Sequence, residues 1–232
     1  MNNSSYDTNN QGQLVGKIKG QPQRSYEIEG EWFYELKLAV ERLSKVEDII
    51  PVTISERIVA TRDINLNEGE ELAVSGEFRS YNKLIGSKSK LMLHFFVHDK
   101  LSEEETKRCV EEGNSNAVKL TGYICKSPIY RTTPFNREIC DVLLAVNRPN
   151  FNSKPFGKSD YIPCIMWGRN ARCMKDLPVG TKIELFGRIQ SREYNKTLEG
   201  GVVEQRTAYE VSCQSVEVET SRPPVELENA GA

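Results

Sequence analysis

Apolar and polar residues alternate with a period near two along much of this chain, the spacing of half-buried β-strands. The stretch "DYIPCIMWGRNA", Asp160 to Ala171, departs from that rule. Read in steps of two, one face carries Tyr161, Pro163, Ile165 and Trp167, and the other carries Ile162, Cys164 and Met166. Both faces are apolar, although a sheet core needs only one of them. Around this segment, strands are predicted at roughly 117–126, 137–148, 160–167, 181–194 and 206–218, with Gly, Pro and Asn between them. One short helical pattern, "RNARCMKDL" at 169–177, falls between the third and fourth strands.

The pattern occurs twice. "LVGKI" at 14–18 returns as "LTGYI" at 120–124, Pro22 returns as Pro128, and "LKLAVERL" at 36–43 returns as "VLLAVNRP" at 142–149, all offset by 106 residues. "DIIPVTI" at 48–54 matches "DYIPCIM" at 160–166 with an offset of 112, and "EGEELAVSGEFRS" at 68–80 matches "VGTKIELFGRIQS" at 179–191 with an offset of 111. Collinear matches with small gaps mark an internal duplication. Five strands with a helix between the third and fourth predict an all-β chain of two tandem OB-fold five-stranded barrels. An SH3-like barrel would lack that helix. The boundaries expected are a disordered N-terminus over 1–11, a first barrel over 12–101, a linker over 102–115 that can start as a helix, a second barrel over 116–219, and a disordered tail over 220–232.

Composition narrows the function classes. No apolar run reaches 18 residues, and "MNNSSYDTNNQGQ" has neither the basic start nor the apolar stretch of a signal peptide, so a cytoplasmic protein without membrane contact is expected. Six cysteines without a CxxC pair read as reduced thiols. The net charge of −2 conceals a division: residues 1–113 carry 15 Lys/Arg against 20 Asp/Glu, residues 114–215 carry 15 against 9, and residues 216–232 carry one against four. A second barrel of net +6 inside a near-neutral chain predicts a polyanionic partner for that barrel.

The candidate chemistry fits such a partner. "GRIQSREY" places Arg188, Gln190, Arg192 and Tyr194 on one strand face with no carboxylate of the same parity, and Tyr161 and Trp167 lie on the face that the core does not need. Rings stack on bases of any sequence while cations follow phosphates, so this mixture suits single-stranded nucleic acid. The first unit has Ile49 and Ser55 where the second has Tyr161 and Trp167. Those rings are therefore not demanded by the shared barrel core. The first unit keeps Arg79, Tyr81 and Lys83 on its fourth strand. An enzyme is not expected. The two histidines, His94 and His98, would sit about 13 Å apart on one strand at ~3.3 Å per residue, no phosphate loop or GxSxG elbow occurs, and the second unit has no histidine to activate a nucleophile. No metal or cofactor is expected.

The second unit resembles bacterial single-stranded DNA-binding proteins through "NAVKLTGYICKSPIYR" (116–131), "LLAVNR" (143–148), "DYIPCIMWGRNA" (160–171), "GTKIELFGRIQSREY" (180–194) and "RTAYEVSCQSVE" (206–217). The first unit looks like a diverged copy. The resemblance implies non-specific binding of single-stranded DNA in replication, recombination or repair. It implies base stacking at Tyr161, Trp167 and Tyr194, a further ring for which Phe151 is the nearest candidate, and a DNA path along Arg131, Arg188 and Arg192. Arg148, Gln190, Lys196, Arg79 and Tyr81 complete the candidate set, with the second barrel as the main DNA-binding domain. Pro163 stands where the family can use a cation. The chain ends in "VELENAGA" without the acidic, aromatic-containing tip by which family members commonly recruit partners. Tandem forms in the family dimerise to present four barrels, so a homodimer is the expectation. An OB-fold accessory factor that binds RNA or a replication protein is the alternative, because stacking and phosphate contacts serve DNA and RNA alike.

Overall fold

The structure is a computed structural model that describes residues 9–86, 88–148, 157–197, 201 and 203–219. The expected disorder at residues 1–8 and 220–232 lies outside the described residues, as does Phe151. Five strands form the first barrel: β1 (Asn10–Ile28), β2 (Glu31–Glu41), β3 (Glu47–Ser55), β4 (Glu71–Ile85) and β5 (Lys88–Lys100), with α1 (Glu56–Thr61) between β3 and β4. The barrel closes through the order β1-β2-β3-β5-β4-β1, with β3 and β5 parallel and the other pairs antiparallel. The second barrel repeats it with β6 (Asn116–Ile124), β8 (Glu138–Asn147), β9 (Ser159–Trp167), α3 (Arg169–Met174), β10 (Lys182–Thr197) and β11 (Val203–Val218), closed as β6-β8-β9-β11-β10-β6. These are tandem OB-folds, as the strand and helix order predicted.

Each core follows from period two. In β9, Ile162, Cys164 and Met166 are buried with Leu144 of β8, Leu185 and Ile189 of β10 and Val211 of β11. Their counterparts in the first barrel are Ile50, Val52 and Ile54 with Leu38, Val74 and Phe78, at the offsets read from the sequence, and Phe95, which pairs with Val52 as Val211 pairs with Cys164. The barrels also bend at equivalent places. A bulge in β4 falls at Ser75/Gly76 and one in β10 at Phe186/Gly187. A Cβ on Gly76 would lie 2.1 Å from the Phe96 carbonyl oxygen, and one on Gly187 would lie 2.4 Å from that of Ser212. Only glycine allows so close a backbone approach.

Two features, the start of β1 and the strand β7, differ from the sequence reading, and the linker carries the helix allowed at its start. β1 begins at Asn10, inside the stretch expected to be disordered, because the buried Asn10 side chain exchanges hydrogen bonds with the backbone of Phe78 at 2.7 and 3.0 Å. The linker holds a capped helix, α2 (Glu103–Glu111), whose Ser102 and Glu105 form a capping box and whose Cys109 packs on Val15, Ala73 and Leu101. A short strand, β7 (Ile129–Thr132), pairs with β8 as a hairpin outside the closed barrel. All four of its residues are exposed, so no apolar alternation marks it.

The barrels join across an approximate two-fold relation. β1 and β6 pair antiparallel from Asn10↔Leu120 to Leu14↔Asn116, making one continuous sheet. Two buried aspartates at equivalent positions then bind the opposite barrel. Asp48, with a fully buried side chain, accepts the Ser191 N–H at 2.8 Å, and Asp160, 1% exposed, accepts the Ser80 N–H at 2.6 Å. The next residue in each case donates its backbone N–H to the same serine hydroxyl, Ile49 to Ser191 Oγ at 2.9 Å and Tyr161 to Ser80 Oγ at 2.8 Å. Arg42 chelates Asp48 and Arg148 chelates Asp160. Such an interface, repeated by both halves of one chain, has the self-complementarity of a symmetric dimer.

Candidate nucleic-acid interface

The outer face of the second barrel answers what the surplus apolar face of β9 does. Register places Tyr161, Pro163, Ile165 and Trp167 opposite Ala145, Leu143, Asp141 and Ile139 of β8, and Arg131 of β7 lies beyond Ile139. On the other side, β11 and β10 continue the face with Arg188↔Ser212, Gln190↔Glu210, Arg192↔Ala208 and Tyr194↔Arg206. Neighbours cover the middle of the β9 row, where Ile165 is buried. Its two ends are open: Tyr161 is 44% exposed and Trp167 is 39% exposed. Six residues of strand separate these rings by about 20 Å at ~3.3 Å per residue. Tyr194 is also exposed, with the Arg192 guanidinium 5.9 Å from its ring centroid.

The cations divide into two sets. Arg131 pairs with Asp141 at 2.7 Å and Arg192 approaches Glu210 at 3.6 Å, both with about half of the arginine side chain in solvent. An exposed pair such as Arg131–Asp141 contributes only ~0–1 kcal/mol, so its guanidinium can exchange the carboxylate for a phosphate, and the buried Glu210 keeps its hydrogen bond from Gln190 if Arg192 turns away. Lys196 is exposed as well. Arg148 and Arg188 are held differently, at the seam between the barrels. Arg148 spans the seam from Asp160 at 2.7 Å to the Ser80 carbonyl at 3.1 Å, and hydrogen bonding to Asp160 raises its pKa further. Arg188 reaches Asp48 of the first barrel at 2.9 Å and Gln190 at 3.1 Å. Burial, and then Arg42 nearby, lower its pKa. Gln190 is buried and donates to Glu210 at 2.6 Å. From Arg188 to Lys196, β10 has no carboxylate of this parity, but Asp48 and Glu210 supply two from other strands.

Arg206 was not singled out in the sequence. It lies opposite Tyr194 and is ion-paired to Glu204 at 2.6 Å. Its place follows from the hairpin register, which the sequence of the intervening loop does not fix.

The equivalent face of the first barrel is filled from within. Tyr26 stacks on Phe33 at 4.9 Å with 16° between planes, Phe33 meets Phe96 at 5.8 Å, and the Arg79 guanidinium covers the Phe96 ring at 4.0 Å. Phe33 is paired with Ser55, the small residue that stands where the second barrel has Trp167. Arg79 is further tied to Glu77 at 2.7 Å, and Tyr81 is exposed but packs edge-on to His94. Burial, and then Arg79, push the His94 pKa down to about 4, so its neutral ring shares a 2.5 Å hydrogen bond with Thr53 Oγ1.

Among the described residues no three His, Cys, Asp or Glu side chains gather as a metal site. The cysteines are free, and burial pushes the Cys213 thiol up to about 12 and Cys164 well above the usual range, so neither supplies a thiolate. No helix among the described residues is long and apolar enough to cross a membrane.

The fold and the ring-bearing face define a tandem OB-fold protein. Residues 115–219 match the model of the single-strand binding protein family. The second barrel is therefore a domain of that family, and the chain joins it to another barrel of the same fold. Single-stranded DNA-binding protein 1 of Staphylococcus aureus is 35% identical over 105 residues, which are 44% of this chain and 59% of that protein. The single-stranded DNA-binding protein of Enterococcus faecalis is 31% identical over 117 residues, 50% of this chain and 60% of its own length. The chain thus spans about three fifths of these relatives. The crystal structure of the single-stranded DNA binding protein from Thermus aquaticus superposes with a TM-score of 0.64 at 22% identity, covering 92% of this chain and 94% of that one. At that identity the likeness concerns the fold.

Proposed function

We propose that this protein binds single-stranded DNA with little sequence preference and protects it during replication, recombination or repair, without catalysing a reaction. The observation that carries this reading is the outer face of the second barrel, where Tyr161, Trp167 and Tyr194 stand exposed beside Arg131, Arg192 and Lys196. Rings at that spacing suit an extended strand that touches each in turn. The second barrel is the main binding domain. In the first, Arg79 and Tyr26 already cover the rings a base would need. Six free thiols, four of them buried, fit a reducing cytoplasm. Titration with single-stranded DNA, duplex DNA and RNA of equal length tests the reading. Neutralising ~4 phosphates predicts a slope of about −3 in log affinity against log salt at ~0.7 per contact. Tight duplex binding with weak single-strand binding would reject it, and preference for RNA would reassign the substrate.

A homodimer presenting four barrels belongs to the same proposal. Its support is the two-fold relation already built into one chain, since closed symmetric assemblies grow most simply by a further two-fold axis. Light scattering should return about twice the chain mass of 26.3 kDa at micromolar protein. A mass near that of one chain would reject the dimer.

A further inference from the structure

The β7–β8 hairpin carries chemistry that the ring face has not yet absorbed. Its sequence, "KSPIYRTTPFNR" from Lys126 to Arg137, holds three cations and two rings, and no carboxylate occurs anywhere between Ala117 and Arg137. The tip is a defined turn. The Thr133 N–H donates to the Arg137 carbonyl at 2.9 Å, the Asn136 N–H donates to the Thr133 carbonyl at 2.9 Å, and the Arg137 N–H donates to Thr133 Oγ1 at 3.0 Å. Asn136 adopts φ 56°, a left-handed conformation that asparagine tolerates better than most residues. On this turn Phe135 is 87% exposed. A ring so bare contributes nothing to the core, yet the turn fixes where it stands.

Its place relative to the other rings is set by register. Ile139 lies opposite Trp167, and the Gly168 N–H donates to the Glu138 carbonyl at 2.9 Å, so the hairpin leaves the barrel at the Trp167 end of β9. Phe135 is four residues beyond Ile139 and sits in the turn, so it stands within the ~13 Å that four residues of extended strand at ~3.3 Å each would span. The line from Tyr161 to Trp167 thus continues outward to Phe135, flanked by Arg131 and Arg137. We propose that Phe135 is a further stacking residue, and that the hairpin extends the path of the same single strand past Trp167, with Arg131 and Arg137 serving its phosphates. This rests on the proposed function. The outgoing arm and tip, Lys126 to Arg137, hold no acid, and Glu138 and Asp141 lie only at the base of the returning strand, which favours a polyanion over a protein partner as the occupant.

The test uses the full chain with oligo-dT of about 32 nucleotides, two barrels at up to ~16 each. Phe135→Ala should weaken binding about 5-fold or more, the lower end of what one stacked ring contributes, with an unchanged unfolding midpoint because the ring is exposed. Phe135→Trp should keep the affinity and add tryptophan emission that oligo-dT quenches. Wild-type affinity in Phe135→Ala, or an unquenched Trp in Phe135→Trp, overturns the proposal. If Trp167→Ala still weakens binding in that case, the proposed function stands without it. If neither alanine variant changes affinity, both fall.

Discussion

Trp167→Ala is expected to weaken single-strand binding by about 1–3 kcal/mol, roughly 5- to 150-fold, while leaving the protein folded. The size follows from loss of one stacking ring. The preservation of the fold follows from position: Trp167 is 39% exposed at the end of β9, and its neighbours Cys164 and Met166, not the indole, fill the core. Truncating a fully buried aromatic typically costs about 3–5 kcal/mol, so a loss of stability under ~2 kcal/mol is the expectation here. Tyr81→Ala, at an exposed ring of the first barrel, should cost less than ~1 kcal/mol of binding and serves as the comparison. Equal losses in the two variants would remove the division between the barrels.

The second large effect belongs to the seam. Asp48 is fully buried and accepts from Arg42, Arg188 and the Ser191 N–H, so it ties the β10 strand of the second barrel to the first. Asp48→Ala would leave two neighbouring guanidiniums without their counter-charge and the Ser191 N–H without a partner. Breaking a buried pair in this way costs ~3–5 kcal/mol. Both arginines keep about a quarter of their side chains in solvent and can turn outward, which places the expectation near ~3 kcal/mol. Denaturant unfolding reads this directly. A loss below ~1 kcal/mol would mean that the β1–β6 pairing and the Asp160 half of the seam hold the barrels together without Asp48.

The repeat made the fold legible. Offsets of 106, 111 and 112 residues place Asn10 with Asn116, Ser80 with Ser191 and Asp48 with Asp160, and the structure gives each pair the same role. The faces of β9 were legible too, because period two separates Trp167 from Met166 without knowledge of the partner strands. What the sequence did not disclose depends on contacts between distant segments. Arg188 reads as a free cation on its own strand, and only the seam shows that Asp48, 140 positions away, holds it. Arg148 is withdrawn from the open face by the same geometry. The ring array of the first barrel draws Tyr26, Phe33 and Phe96 from three strands, so no periodicity within one strand could mark it. β7 escaped notice because all of it is exposed, and with it the direction in which Phe135 points the hairpin.

Intrinsic fluorescence tests the central claim most directly, since the chain has two tryptophans, Trp32 in the first barrel and Trp167 on the proposed platform. Trp32 lies under the Arg24 guanidinium at 4.7 Å and should report little. Oligo-dT should quench the wild-type emission, and most of that response should be absent in Trp167→Ala, whose unfolding midpoint stays close to wild type. Quenching that persists through Trp32, or a variant that loses several kcal/mol of stability yet binds normally per folded molecule, would contradict a stacking face on the second barrel.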